Sequence, residues 1–161
     1  MFGLFKKNKQ FDFVAPTNGE VMPITEVSDA MFAQKIMGDG YAVKPAEDAF
    51  YAPVAGTIQS IFPTKHALSF VTDDGIEVLL HLGVDTVELK GAPFEITVSE
   101  QQHVNAGDRL GSMDRQQITS SGRDDVLIVV FTNMDKINAM DAVETSSVNH
   151  GDVIGKVTVA G

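Results

Sequence analysis

The chain has 161 residues and carries 12 Lys and Arg against 22 Asp and Glu, a net charge of −10. This length suits a single domain with a core of its own, and the acidic balance argues against nucleic acid, which requires a basic surface. The chain has no cysteine, which excludes disulfides, thiol nucleophiles and cysteine-ligated metals. Because no apolar run approaches the ~18 residues of a membrane span and no secretory signal opens the chain, we expect a cytoplasmic protein.

Residues 1–12 are predicted to form a flexible segment ahead of one domain that spans residues 13–161. Within residues 2–9, two phenylalanines and a leucine lie beside three lysines, a composition compatible with a small amphipathic surface anchor. The segment is short, so a frayed tail is the favoured interpretation. Any membrane contact of the chain itself is therefore expected to be weak and confined to this end.

Gly and Pro recur about every 8 to 15 residues, a spacing typical of a β-sandwich or barrel. Helical signals are few: Ser28 and Asp29 can cap a short turn that extends through Ala33, and residues 134–139 suggest another. Strong strand patterns occur in residues 56–62, 76–82, 126–131 and 153–159. The third of these is apolar on both faces, which predicts a central strand, and the fourth predicts a closing strand. We therefore predict a compact all-β domain, an antiparallel sandwich or barrel with only short helical turns.

Two sequence patterns occur twice. Residues 15–21 and 52–58 share an Ala-Pro turn followed by a strand, and residues 104–111 and 148–155 share a Val-Asn-x-Gly-Asp turn. In each copy the Pro or Gly-Asp sets a turn, and the apolar residues that follow enter a sheet. Two copies are too few for a solenoid, so we interpret them as pseudo-duplicated turn–strand units of one domain. Chance recurrence of Gly-Asp turns is the alternative.

The chain has four histidines, of which His103 and His150 lie near Gly-Asp turns and are predicted to be exposed. His66 and His81 flank a predicted hairpin whose turn contains residues 73–75. A two-residue loop at 73–74 places the two rings opposite each other, and a loop at 74–75 places them diagonally on one face. A three-residue loop with a bulge at Gly75 places them on opposite faces. The sequence leaves these registers open.

Two adjacent imidazoles among apolar residues suit three kinds of chemistry. Zinc binding is weakly supported, since a third ligand is needed and only Asp85 is nearby in sequence. A hydrolytic triad has Thr64 and Ser69 as nucleophile candidates, but no nucleophile-elbow glycines surround them. Phosphoryl carriage needs one histidine as nucleophile and the other as hydrogen-bond donor. We predict neither a bound metal nor a cofactor.

Residues 75–87, GIEVLLHLGVDTV, resemble the active-site signature of the glucose-family enzyme IIA component of the bacterial phosphoenolpyruvate:sugar phosphotransferase system. Further segments resemble the same family in the same order, and together they cover the chain from about Phe13 to Val159: residues 14–19, 33–40, 52–56, 64–67, 87–91, 104–108 and 131–133. The resemblance implies a phosphotransferase that works through a covalent phosphohistidine. His81 matches the phosphorylated histidine, which reacts through Nε2, and His66 matches the second ring, which contacts the phosphoryl group. Thr64 matches the residue that orients His66, and the carbonyl of Gly83 accepts from His81 Nδ1–H.

The resemblance also implies two protein partners. The donor is the phosphohistidine form of the carrier protein HPr, and the acceptor is a cysteine on a sugar-specific IIB domain, which phosphorylates the sugar entering through the membrane-bound IIC domain. Asp29 and Asp85 are expected to pair with basic residues on HPr. A docking patch is expected from the apolar residues Ala30, Met31, Phe32, Phe62, Leu68 and Leu79.

Two alternatives from other classes remain. One is a biotinyl- or lipoyl-type carrier module, which has similar Ala-Pro and Gly-Asp turns but needs a lysine at a hairpin tip, for which Lys136 after Met134 is the nearest candidate. The other is a purely regulatory binding protein with inactive histidines.

Overall fold

A computed structural model describes residues 9–161 of the chain. Its described strands are β1 (Gln10–Val14), β2 (Gly19–Pro23), β3 (Asp39–Pro45), β4 (Ala49–Tyr51), β5 (Gly56–Ile61), β6 (Ala67–Val71), β7 (Glu77–Leu82), β8 (Phe94–Ile96), β9 (His103–Val104), β10 (Arg109–Met113), β11 (Leu127–Phe131), β12 (Ile137–Met140), β13 (Ser146–Val148) and β14 (Val153–Val159). The helices are α1 (Ala30–Ala33) and α2 (Arg115–Ser120), with 3₁₀ turns at Ile24–Glu26, Thr86–Leu89 and Met134–Lys136. The predicted all-β class with short helical turns is confirmed.

The strands form one large antiparallel sheet and two small ones. The large sheet has the order β13-β2-β3-β11-β7-β6-β5-β9, and the small sheets have the orders β1-β14-β12 and β4-β10-β8. The main core contains Leu80 and Leu127 from the large sheet together with Phe13, Phe50 and Leu110 from the small sheets. The two small sheets therefore pack on one face of the large sheet, which produces the predicted sandwich.

Strand β11 has the central position that its sequence predicted. It pairs with β3 on one side and β7 on the other, and all five of its residues are buried. Leu127 and Val129 face the main core, whereas Ile128 and Val130 belong to a second apolar cluster on the opposite face of the sheet. A strand apolar on both faces thus separates two packed layers. The closing strand β14 is also confirmed.

The duplicated turns make equivalent contacts. Ala15 N–H donates to the carbonyl of Asp152 at 2.9 Å, and Ala52 N–H donates to that of Asp108 at 2.8 Å. The carbonyls of the same two alanines accept from the glycine that precedes each aspartate, at 2.9 and 2.8 Å. Each Ala-Pro turn is therefore joined to one Gly-Asp turn in the same way, which confirms pseudo-duplication in preference to chance recurrence.

The predicted boundary between residues 12 and 13 lies inside strand β1. This strand starts at Gln10, which pairs with Thr158 of β14, so the folded domain includes residues that we predicted to be flexible.

The proposed amphipathic segment falls largely on residues 1–8, which lie outside the described residues. Within residues 9–161, no helix has the length and apolar composition needed to cross a membrane.

One helical prediction differs from the structure, and one helix was not predicted. Residues 134–139 form a 3₁₀ turn only as far as Lys136 and then enter strand β12. Helix α2 was not predicted, although Asp114 caps it by accepting from Gln117 N–H at 3.0 Å. The predicted cap of α1 is present, since the carboxylate of Asp29 accepts from Met31 N–H at 2.8 Å.

Candidate active site

The hairpin between β6 and β7 has the register that was expected to separate the two histidines. Ala67 pairs with His81 and Val71 with Glu77, and Thr72 N–H donates to the carbonyl of Ile76 at 2.9 Å. This is the three-residue loop, with Gly75 in the left-handed region at φ 84°. In regular strands, this register would put residues 66 and 81 on opposite faces of the sheet.

The two rings nevertheless lie side by side, with centroids 5.3 Å apart and planes inclined at 75°. His66 precedes the first residue of β6 and follows Lys65, whose φ of 59° is left-handed. The side chain of His66 is therefore not bound by strand alternation. Its carbonyl accepts from Leu82 N–H at 2.7 Å, which ties this turn to the end of β7. The expectation that a three-residue loop would separate the two rings was wrong, because it assumed that the strand extended through His66.

His81 occupies an apolar face of the large sheet, opposite the main core. Its neighbours across the strands are Ala67 on β6 and Ile128 on β11. The ring of Phe32 from α1 lies 5.1 Å from the His81 ring. The second apolar cluster surrounds this position and consists of Ile24, Val27, Phe32, Ala42, Ala67, Leu79, Val84, Val126, Ile128 and Val130. His81 is half-buried in this setting.

Each histidine has a hydrogen-bond partner at Nδ1. The Nδ1 atom of His81 lies 2.6 Å from the carbonyl oxygen of Gly83. A carbonyl only accepts, so Nδ1 carries the proton and Nε2 of the neutral ring has a free lone pair. The Nδ1 atom of His66 lies 2.5 Å from the hydroxyl of Thr64. When this hydroxyl donates, Nε2 of His66 carries the proton and can itself donate.

Burial favours the neutral form of both rings. It lowers the pKa of His66, and it is the largest cause that lowers the pKa of His81. The hydrogen bond to Gly83 opposes this shift, the neighbouring His66 adds to it, and the charges of Asp29 and Asp85 oppose it. The net direction is downward, so the His81 ring is neutral at pH 7.

The predicted docking residues divide into three groups. Met31 is 52% exposed and Phe62 is 37% exposed, and the Phe62 ring lies 5.3 Å from that of His66. Phe32 and Leu79 are buried beside His81 on the same sheet face. Leu68 lies elsewhere, since it is fully buried in the main core on the other face of β6. Including Leu68 in the docking patch was therefore wrong, because Leu68 pairs with Leu80 and faces the main core with it.

The remaining predicted residues lie at the rim. Ala30 is exposed at the start of α1, directly after half-buried Asp29, and Asp85 is exposed after β7 with φ 59°. Two further apolar residues were not predicted, Ile36 and Val87, which are 67% and 46% exposed. Both fall within the segments that carried the family resemblance, so their apolar character in exposed turns was the available signal.

The other chemistries considered have less support. The described residues contain no group of three or more His, Asp or Glu side chains placed to hold a metal ion. The hydroxyl of Ser69 bonds to that of Ser60 at 2.7 Å and not to a histidine, so it is not a triad nucleophile. Lys136 ends a 3₁₀ turn that leads into β12 and is not at the tip of a hairpin, as a biotinyl or lipoyl carrier requires.

A β-sandwich that sets a neutral imidazole with a free Nε2 against a second imidazole belongs to the class of proteins that transfer a group through histidine. Comparison with known proteins identifies the family. The sequence profile of the phosphoenolpyruvate-dependent sugar phosphotransferase system, EIIA 1, matches residues 11–137. The chain therefore belongs to this family, and it is a phosphocarrier component of the sugar phosphotransferase system.

Individual relatives agree with the family assignment. The PTS system glucose-specific EIIA component of Mycoplasma capricolum is 38% identical over 147 residues, which are 91% of this chain and 95% of that protein. The component of the same name from Staphylococcus aureus is 35% identical, covering 94% and 92% of the two chains. The solved structure of glucose permease IIA from Mycoplasma capricolum matches with a TM-score of 0.87 and 37% identity, covering 94% of this chain and 98% of that one.

A longer relative contains a similar stretch. The PTS system glucose-specific EIICBA component of Streptococcus pneumoniae is 47% identical over 140 residues, which are 87% of this chain. The matched stretch is 19% of that protein, so this chain spans about a fifth of its length.

Proposed function

We propose that His81 carries the phosphoryl group, which it accepts on Nε2 from the phosphohistidine of HPr and passes to a cysteine of a sugar-specific IIB domain. The reaction takes place in the cytoplasm, and the sugar enters through the membrane-bound IIC transporter. The observation that carries the proposal is the 2.6 Å contact between His81 Nδ1 and the Gly83 carbonyl, because it leaves Nε2 free to react.

The two rings have complementary parts in the transfer. The Nε2 lone pair of His81 forms the new N–P bond while the N–P bond of the donor breaks and the donor ring takes back its electron pair. Charge on the phosphoryl oxygens is stabilised by donors aimed at them. Nε2–H of His66 is such a donor when Thr64 donates to Nδ1 of that ring. In the onward transfer, the cysteine thiolate forms a bond to phosphorus while the N–P bond of His81 breaks and Nε2 takes back its electron pair.

The surroundings of the histidines suit successive protein partners. Met31, Ile36, Phe62 and Val87 expose apolar area in the segments that adjoin the site. Such a patch is buried by a docked protein, which also excludes water and slows hydrolysis of the phosphohistidine. The carboxylates of Asp29 and Asp85 and the net charge of −10 favour a basic surface on HPr.

We favour a role in the uptake of glucose-type sugars. The two relatives that this chain covers almost completely are both named as glucose-specific components. The multidomain streptococcal relative, named as an EIICBA component, supports IIB and IIC as the partners. Reconstituted transfer to candidate IIB domains tests this specificity.

Labelling with phosphoenolpyruvate, enzyme I and HPr tests the assignment of His81. The protein should gain one phosphoryl group that is stable to alkali and labile to acid, and His81→Ala should abolish it. His66→Ala should still accept the group but pass it to IIB roughly 100-fold more slowly, as when one charge-stabilising donor is lost.

His103→Ala is the matched control, since His103 is exposed on an edge strand of the same sheet and should label as the wild type does. Normal labelling of His81→Ala would show that His81 is not the carrier. A purely regulatory protein would not label at all.

A further inference from the structure

Thr86 is a fully buried polar residue beside the candidate active site. It begins the 3₁₀ turn Thr86–Leu89, and its hydroxyl donates to the carbonyl of Leu82 at 2.5 Å. Leu82 is the last residue of β7, directly after His81. The N–H of Leu82 donates to the carbonyl of His66. Leu82 therefore links three parts of the site through its backbone. It follows His81 in the chain, it is hydrogen-bonded to His66, and it accepts from the Thr86 side chain.

The peptide groups on either side of Gly83 are held by four hydrogen bonds. The Leu82–Gly83 peptide accepts from the Thr86 hydroxyl and donates through Gly83 N–H to the carbonyl of Val126 at 2.8 Å. The Gly83–Val84 peptide donates through Val84 N–H to the carbonyl of Asp124 at 3.0 Å. Its own carbonyl accepts from His81 Nδ1. The orientation of the group that selects the tautomer of His81 therefore depends on these contacts.

The methyl group of Thr86 also packs against Gly83. A Cβ placed on Gly83 would lie 2.6 Å from Thr86 Cγ2, so the two residues are already in close contact. Gly83 has a φ of 77°, a left-handed conformation that glycine adopts readily and that neighbouring contacts must fix. Thr86 supplies both a hydrogen bond and a packed surface at this point.

We infer that Thr86 is a positioning residue for phosphoryl transfer, which fixes the Gly83 carbonyl and thereby keeps Nε2 of His81 free of a proton. This inference rests on the proposed role of His81. Loss of the Thr86 hydroxyl leaves the buried Leu82 carbonyl without this donor and loosens the Gly83 peptide. The Nδ1–H form of His81 then loses part of its stabilisation relative to the Nε2–H form, which has no lone pair on Nε2 with which to attack phosphorus.

The test compares Thr86→Val, which keeps the shape and removes the hydroxyl, with Thr86→Ser, which keeps the hydroxyl. In Thr86→Val, ¹⁵N NMR of His81 should show a smaller fraction of the Nδ1–H tautomer. Phosphoryl acceptance from HPr should slow about 3- to 10-fold, as expected for the loss of one hydrogen bond. Thr86→Ser should restore both the tautomer ratio and the rate.

Thr17→Val is the matched control. Thr17 is also fully buried, and its hydroxyl donates to the carbonyl of Ala49 at 2.9 Å, in the part of the fold that carries the duplicated turns. This variant should lose comparable stability but keep the wild-type His81 signals and rate. If Thr86→Val matches Thr17→Val in both readouts, Thr86 is structural only and the inference fails.

Two further outcomes are distinguishable. If Thr86→Val does not fold, Thr86→Cys replaces it, because cysteine has a similar volume and a weaker hydrogen-bond donor. Thr86→Cys must then lower the fraction of the Nδ1–H tautomer of His81. An unchanged fraction overturns the inference. If the wild type accepts no phosphoryl group, the proposed role of His81 fails, whereas the tautomer measurement still reports on what Thr86 does to the ring.

Discussion

At the scale of single residues, the chemistry depends on which nitrogen of His81 holds a proton. The Gly83 carbonyl decides this for the neutral ring, and burial keeps the ring neutral by lowering its pKa below the ordinary value of 6.5. His66 differs because its partner is a hydroxyl, which adapts to either tautomer. In the proposed mechanism, His81 is therefore fixed with a free Nε2, and His66 can change between donor states as the phosphoryl group arrives and leaves.

The lowered pKa of His81 predicts the pH dependence of the reaction. The rate of phosphoryl acceptance should be level at alkaline pH and should fall as the ring becomes protonated, with the midpoint of the fall below pH 6.5. Single-turnover labelling with preformed phospho-HPr measures this rate without the earlier steps. A decline that is complete above pH 6.5 would contradict the burial argument.

The same shift affects stability. Between the lowered pKa of the folded state and 6.5, the unfolded chain binds more protons on His81 than the folded chain does, so the free energy of unfolding decreases as pH falls through this window. In urea titrations, His81→Gln should show a weaker decrease over this window than the wild type. An equal decrease in both proteins would assign the effect to other groups.

At the scale of elements, the end of β7 and the turn after it form the rigid part of the site. Gly83→Ala should destabilise the fold by about 2 to 4 kcal/mol, because left-handed strain adds to overlap of the new Cβ with Thr86 Cγ2 and with the Asp124 carbonyl at 2.8 Å. Phosphoryl acceptance should also fall, since the carbonyl that orients His81 must move. Denaturation and labelling measure the two effects.

Gly122→Ala measures the cost of a left-handed alanine without the close contacts that surround Gly83. Gly122 has a similar φ of 84°, but no other described atom lies within 4 Å of its added Cβ. Its substitution should cost about 1 kcal/mol and leave phosphoryl transfer unchanged. Equal losses at both glycines would mean that the surroundings of Gly83 are not rigid.

Sequence patterns predicted the strands and helices better than the turns that connect them. Strand β11 was predictable because its apolar residues occupy both faces, and α1 because Asp29 is a common capping residue. The position of His66 was not predictable from alternation, because it depends on the left-handed conformation of Lys65, a residue type that rarely adopts it. Alternation counted from His66 would also put Leu68 on the face of the histidines, whereas Leu68 faces the main core. The roles of the site residues came from the family signature, which specifies identities without geometry.

At the scale of the whole molecule, the proposed docking combines acidic charge with an apolar patch. We expect the net charge of −10 to attract a basic partner from a distance, and Asp29 and Asp85 to act close to the histidines. Both residues can be changed to Asn with little structural cost, because Asn caps helices as Asp does and tolerates the left-handed conformation found at position 85. The pair therefore offers a clean test of electrostatic docking.

The double variant Asp29→Asn and Asp85→Asn should lower kcat/KM for transfer from HPr about 3- to 10-fold at low salt, and added salt should reduce the difference from the wild type. Asp73→Asn is the control, because its exposed carboxylate lies in the hairpin turn at the other end of β6 and β7. A larger effect of the control substitution would assign steering to the overall charge and not to the docking surface.

The pairing of β1 with β14 has a consequence for how the domain can be joined to others. The N–H of Val159 donates to the carbonyl of Lys9 at 2.8 Å, so the two ends of the described chain leave the molecule side by side. Their sheet covers the main core, on the face of the large sheet opposite His81. A linker at either end would leave the domain on the side away from the histidines, so it would not block partner proteins. The same fold can therefore function as a separate protein or as one domain of a longer chain.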